Sequence, residues 1–229
     1  MSEQVRTMFA SISDRYDMVN TVLSFGIHHI WRKKAVRLSA VRQGDHVLDC
    51  ATGTGDFAIE FKKKVGVEGR VIGTDFCAEM METGPSKAKK KSLEIEFQVA
   101  DAMNLPYSDD QFDSCSIAFG IRNVDDPFVC LNEMARVVKP GGTVVVLEFG
   151  QPKGPIRIPF QLYSKYVMPT VGGLLSGNKE AYEYLPETSA RFPAGKAFLD
   201  MMGKTGKFKA QSATKLQGGI AYIYVGTVA

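Results

Sequence analysis

The stretch "VLDCATGTGD" (Val47–Asp56) decides the fold. With His46 its first residues make a short apolar run, "HVLDCA", of strand length. The remainder is a Gly-rich turn opening the helical pattern "GTGDFAIEFKKKVG" (Gly53–Gly66). The same alternation continues downstream. "RVIGTDF" reads as a strand, followed by a helix from about Ala78 to Lys91, and "IEFQVAD", "FDSCSIAF" and "TVVVLEF" read as three more strands. A helix, "DPFVCLNEMARVVKPGG", separates the last two, with Pro-Gly-Gly as its stop signal. Strands separated by helices predict an α/β fold whose parallel sheet is covered on both faces.

Upstream, apolar residues recur at helical spacing from Val5 to Val22 and from Ile27 to Val41, predicting a helical N-terminal segment. Downstream, Gln151–Pro193 is aromatic, punctuated by Pro and Gly, and lacks a clean period, which suits a substrate-covering insert after the fifth strand. A helix near Ala194–Thr205 follows, then two strand-like runs around Gly218-Gly219 that predict a hairpin. The expected organisation is a single domain spanning 1–229. It comprises an N-terminal helical cover (1–43), a cofactor-binding core (44–150), the insert (151–193), and a C-terminal helix and hairpin (194–229).

At 229 residues, 45% hydrophobic and 23% charged, the composition is that of one globular domain, and a formal charge of +3 does not argue for nucleic acid. The charge is uneven: from Gln151 onward ten Lys/Arg face four Asp/Glu. A negatively charged membrane face is one reason for such a balance, and solvated helix faces are the plainer one. The four cysteines lack CxxC spacing, which suits a reducing cytoplasm. The N-terminus has no signal-peptide h-region, and no apolar stretch approaches the roughly 20 residues of a spanning helix. His28 and His29 are adjacent and His46 is distant, so no metal is expected.

The turn after the first strand has Gly53 and Gly55 but Ala58 where a dinucleotide fingerprint needs its third Gly. Asp49 at the strand end suits a cationic ligand better than a pyrophosphate. Asp75 ends the second strand, where an acid accepts hydrogen bonds from ribose hydroxyls. Asp101-Ala102 ends the third, where a carboxylate beside a small residue can take an adenine amino group. Helix capping explains each Asp singly, but not all three together.

These stretches resemble the Rossmann-like S-adenosylmethionine-dependent methyltransferases, whose seven-stranded sheet is mostly parallel with an antiparallel last strand. Four further stretches narrow the resemblance: "FASISDRYDMVNTVLSFGIHHIWRKKAV" (Phe9–Val36), "SIAFGIRNV" (Ser116–Val124), "VVVLEFGQP" (Val144–Pro152) and "YEYLPETSARFP" (Tyr182–Pro193). With them the chain, from about Val5 to Gly226, is similar to the ubiquinone/menaquinone biosynthesis C-methyltransferase family. Thr52 stands where many members carry Gly, and the tail matches only loosely. The resemblance implies S-adenosylmethionine contacts at Asp49, Ala51, Gly53, Thr54, Gly55, Asp75, Phe76, Asp101, Ala102 and Ala118. It also implies a polyprenylated quinol substrate, either demethylmenaquinol or the ubiquinone precursor 2-methoxy-6-polyprenyl-1,4-benzoquinol. No nucleic-acid partner is implied. Peripheral contact with the inner membrane face fits a prenyl tail, and a homodimer is compatible.

Arg122 and Asn123, just past the fourth strand, are the expected catalytic pair. Arg122 would stabilise a phenolate or position a water, since it stays protonated and is a poor base. Asn123 would fix the oxygen or that water. A salt bridge from Arg122 to Asp125 or Asp126, and helix capping by Asn123, are the structural alternatives. Tyr16 and Asn20 share a helix face and are candidate substrate contacts, as are Tyr182 and Tyr184, each with packing as its alternative.

Overall fold

The computed structural model describes residues 3–229. Its sheet has seven strands: β1 (His46–Cys50), β2 (Arg70–Asp75), β3 (Glu96–Val99), β4 (Phe112–Ala118), β5 (Val138–Phe149), β6 (Phe208–Leu216) and β7 (Ala221–Val228). They lie in the order β3-β2-β1-β4-β5-β7-β6. Pairing is parallel from β3 through β5, and β7 runs antiparallel to both its neighbours, as expected. The hairpin turns at Gly218 and Gly219, both at positive φ (68° and 103°). Strand order reverses between β1 and β4, which opens a crevice at the carboxyl ends of the strands.

The helices are α1 (Glu3–Ala10), α2 (Tyr16–Ser24), α3 (Ile27–Leu38), α4 (Asp56–Val65), α5 (Ala78–Met81), α6 (Gly84–Lys89), α7 (Pro127–Arg136), α8 (Arg157–Leu162), α9 (Met168–Ser176), α10 (Lys179–Arg191) and α11 (Lys196–Lys204). The period-2 alternation of β5 shows why both sheet faces are covered. Val144 and Val146 join a core with Leu131 and Met134 of α7 and Phe198 and Met202 of α11. Val145 and Leu147 join the opposite core with Trp31 and Ala35 of α3 and Phe57 and Phe61 of α4. A third cluster packs the N-terminal cover on the insert, through Ile12, Val19, Leu23, Ala181 and Tyr182.

Three local expectations are corrected. The helix expected over Ala78–Lys91 is two short ones, because Pro85 enters at the first turn of α6 and cannot donate to a continuing helix. The Pro-Gly-Gly signal does not end α7 directly. The helix stops at Arg136, and the motif lies inside the start of β5, where the register with β4 shifts between Phe112 and Ser114. The insert is helical rather than irregular. A π turn at Tyr163–Val167 joins α8 to α9, Pro169 occupies a first-turn position, and Asn178 caps α10 by accepting from the Ala181 amide (3.2 Å).

Candidate functional site

The turn after β1 rests on hydrogen bonds that its sequence encodes. The Gly53 amide donates to Asp75 Oδ2 (2.8 Å) and the Cys77 amide to Asp75 Oδ1 (2.9 Å), so the acid ending β2 holds the glycine turn against the following loop. Burial pushes the Asp75 carboxyl up. At the end of β3, Asp101 Oδ1 accepts from the Met103 amide (2.9 Å). Gly120 brings its backbone against Ala51; a Cβ there would lie 2.5 Å from the Ala51 Cβ. These groups line a small cleft together with Phe76, Ala102, Ala118, Asn123, Phe9 and Tyr16.

Of the expected cofactor contacts, Ala51, Gly53, Asp75, Phe76, Asp101, Ala102 and Ala118 are therefore brought together. Three are not. Asp49 lies beneath the turn, where Oδ1 accepts from Ser116 Oγ and Oδ2 from Thr52 Oγ1, each at 2.7 Å. Burial pushes its carboxyl up to about 6. Gly55 serves an internal approach, since a Cβ would meet the Phe97 ring at 2.9 Å. Thr54 Oγ1 points toward the N-terminal cover and donates to Asp17 Oδ1 (2.6 Å).

A second cavity, of about 530 Å³, adjoins the cleft across Tyr16 and Phe119, which line both. Its walls are mainly apolar, with Trp31, Phe149, Phe160 and Met168 among them, and Tyr16, Asn20, Arg32 and Arg122 supply polar groups. Burial pushes the Tyr16 phenol up, which keeps it a neutral hydrogen-bond donor. The short 3₁₀ turn Ile121–Asn123 sends its two polar residues apart, Arg122 to the larger cavity and Asn123 to the cleft.

Arg122 does not pair with Asp125 or Asp126. Its Nη1 donates to Glu148 Oε1 (2.7 Å) and to the Phe119 carbonyl (2.6 Å), and the ion pair is almost fully buried. Arg122 Nε and Glu148 Oε2 are buried without a partner. Burial pushes the Glu148 carboxyl up against the opposing pull of Arg122. Asn123 is not the cap of α7. Asp126 fills that place by accepting from the Phe128 and Val129 amides, while Asn123 Oδ1 accepts from Tyr184 Oη (3.3 Å). Tyr184 thus reaches the site through Asn123. Tyr182 does not reach the cavity: it is buried in the third core cluster, its ring pressed on Gly172, where a Cβ would lie 2.3 Å away.

Two features escaped the sequence reading. Glu148 closes β5 as an acid at the end of an apolar strand, the same signal that marked Asp49 and Asp75. Lys87 Nζ bonds Asp17, Thr54 and Asp56 at once, and Arg32 pairs with Asp56 (3.4 Å), tying the cover to the glycine turn and α6. No local signal joins residues 70 positions apart. His28 and His29, which as neighbours on a helix were expected to point in different directions, instead converge. Their ligand atoms lie with that of Asp56 within 4.8 Å of one another. Burial and Arg32 push His28 down to about 3, and Arg32 and Lys87 already engage Asp56, so this is cationic ground unsuited to a metal ion.

A sheet in this order, with acids closing β2 and β3 beside a glycine turn, defines the class of S-adenosylmethionine-dependent methyltransferases, and the residues present fit that cofactor. The buried Asp75 carboxylate suits its ribose hydroxyls and the half-buried Asp101 its adenine amine, and Phe76, Met80 and Ala102 suit its ring. The fold matches a possible histamine N-methyltransferase from Thermotoga maritima (TM-score 0.69, 19% identity, covering 96% of this chain and 98% of that one). The chain belongs to the ubiE/COQ5 methyltransferase family, which it matches over residues 1–228. It is 55% identical over 227 residues to the ubiquinone/menaquinone biosynthesis C-methyltransferase UbiE of Bdellovibrio bacteriovorus, covering 99% of this chain and 96% of that protein. It is 42% identical over 226 residues to demethylmenaquinone methyltransferase of Staphylococcus aureus, covering 98% and 92%.

Proposed function

We propose that this methyltransferase methylates a ring carbon of a polyprenylated quinol, converting demethylmenaquinol to menaquinol. The observation that carries the reading is the buried Arg122 on the wall of an aromatic cavity, one residue from Asn123 on the wall of the cofactor cleft. The names of the relatives support the substrate class, and the same cavity chemistry serves the ubiquinone precursor, which the experiment below discriminates.

Bound in the cleft, S-adenosylmethionine supplies an electrophilic methyl group. The chain must align a ring carbon with it and manage the quinol protons. A phenol with a pKa of about 10 must lose its proton near neutral pH, against roughly 4 kcal/mol. Arg122 stays protonated, and with Nη1 held by Glu148 and Nε buried, its Nη2 is the donor left to stabilise the phenolate oxygen from the cavity wall. The ring carbon would then take the methyl group, leaving the donor sulfur as a neutral thioether, and the proton on that carbon would pass to the ring oxygen, restoring the aromatic quinol. Asn123, held by Tyr184, and the neutral Tyr16 orient the ring between the two cavities. The aromatic walls exclude water and lodge the first part of the prenyl tail.

The test is incubation with labelled S-adenosylmethionine and each reduced precursor, followed by mass analysis of the lipid. Demethylmenaquinol gains one methyl group under this reading, and methylation of only the benzoquinol precursor reassigns the substrate. In Arg122→Ala, kcat should fall by at least a hundredfold while S-adenosylmethionine affinity is retained. Unchanged turnover removes Arg122 from the mechanism.

A further inference from the structure

The helix formed by α8, the π turn and α9 has two apolar sides. One faces inward, where Phe160, Tyr163 and Met168 line the 530 Å³ cavity, and a contiguous groove of about 890 Å³ shares Phe160 and Met168 with it. The other faces out. Ile158, Leu162, Tyr166 and Leu174 are 67%, 54%, 58% and 82% exposed, and with Thr170 they form an unbroken four-residue spacing along the helix. In an ideal α-helix such a row drifts by roughly 40° per step, because a turn takes 3.6 residues. The wider π turn at Tyr163–Val167 drifts the other way and keeps the row on one side. Phe25, 88% exposed at the turn between α2 and α3, lines the cavity and stands beside Tyr163 at its mouth (ring centroids 6.5 Å apart).

Charge identifies what covers this face. From Gln151 to Asn178 there is no Asp or Glu, while Lys153, Arg157 and Lys165 are all exposed. The nearest acid in sequence is Glu180, in the first turn of α10, and Glu183 and Glu187 further along α10, which border the groove beside these cations, are engaged by Lys179 and Arg191 of the same helix. Apolar side chains in a row, flanked by cations without acids, are the pattern of a helix lying in a membrane interface. No helix among the described residues is long and apolar enough to cross a membrane, so the contact is with its surface.

We propose that the outer face of the helix over residues 157–176, with Phe25, docks on an anionic lipid bilayer. The acceptor cavity then opens toward the leaflet that holds the substrate. This rests on the reading of the acceptor as a prenylated lipid. Ile158, Leu162, Tyr166 and Leu174 enter the interface, and Lys153, Arg157 and Lys165 meet the headgroup phosphates. The helix is the wall between lipid and active site, so a tail can remain in the bilayer while its ring enters past Phe25.

Sedimentation with vesicles of phosphatidylcholine, alone or mixed with phosphatidylglycerol, tests the surface. The full chain should bind the mixed vesicles, and binding should weaken at least tenfold in Ile158→Gln/Leu162→Gln/Tyr166→Gln. It should also weaken with salt and in Lys153→Gln/Arg157→Gln/Lys165→Gln. Methylation of a soluble quinol without a prenyl tail should stay unchanged in Ile158→Gln/Leu162→Gln/Tyr166→Gln, whose positions line neither the cavity nor the groove, which also verifies folding. Methylation of the prenylated quinol in vesicles should fall. Equal vesicle binding by all variants overturns the proposal. So does a solution dimer that the apolar variant converts to monomer, since a second copy would then cover the face. Vesicle binding without methylation of any quinol would leave the surface standing and remove the proposed substrate instead.

Discussion

Arg122 and Glu148 carry opposite demands. Both are buried, so the Arg122 guanidinium offsets the cost of burying the Glu148 carboxylate, and each keeps one polar atom without a partner. Removing one partner of such a pair typically costs about 3–5 kcal/mol, whereas replacing both with apolar groups is close to neutral. Glu148→Ala should therefore destabilise the chain by about that amount, and Arg122→Met/Glu148→Leu should recover most of it in chemical denaturation. The double variant should nevertheless remain without methyl transfer. A double variant that regains both stability and turnover would make the pair purely structural. The Arg-Asn pair was legible as a polar break after an apolar strand. Its partner Glu148 was not, because 26 residues separate it from Arg122 and only the pairing of β4 with β5 brings them together.

At the scale of elements, the N-terminal cover lies closed over the cofactor cleft. The cleft encloses about 70 Å³, with Phe9 and Tyr16 among its walls, well below the roughly 300 Å³ of the smallest usual ligand sites. Arg6 of α1 pairs with Glu79 of α5 (3.0 Å), whose Oε2 also accepts from the Cys77 thiol (3.2 Å), latching α1 beside the cleft. The cover must therefore shift to admit the cofactor. A solvent-screened ion pair is a weak latch, so Arg6→Ala should speed S-adenosylmethionine association only modestly, on the order of two- to fivefold. Stopped-flow fluorescence of Trp31, the single tryptophan, on the wall of the adjoining cavity, measures this. An unchanged association rate would show that entry does not require α1 to move. The helical character of the cover was legible from its 3.6-residue period. That of the insert was obscured by Pro and Gly: Pro169 falls in the first turn of α9, Gly172 and Gly173 within it, Gly177 at its end and Pro186 inside α10.

For the molecule as a whole, Asp49 ties stability to pH. Its carboxyl titrates near 6 in the folded chain and near 3.8 when free, so between those values the folded chain holds a proton that the unfolded chain has released. Stability from this group is full below about pH 4 and is lost as pH rises through 6. Relative to Asp49→Asn, the native chain should lose roughly 2 kcal/mol between pH 4.5 and 7, read by urea denaturation at each pH. Parallel curves for the two proteins would show that Asp49 ionises freely.

The sequence by itself determined the order of strands and helices, both apolar sheet faces, the hairpin, and the acids that gather at the carboxyl ends of β2 and β3. Periodicity and turn chemistry act between near neighbours, and these features are written in near neighbours. Tertiary structure decided which Asp faces the cleft and which lies beneath it, because Ser116 on β4 and Thr52 draw Asp49 inward. It also decided that Arg122 answers to Glu148, that Tyr182 is core while Tyr184 reaches Asn123, and that Lys87 joins the cover to the glycine turn. Each of these depends on distances between residues far apart in the chain, which packing alone fixes.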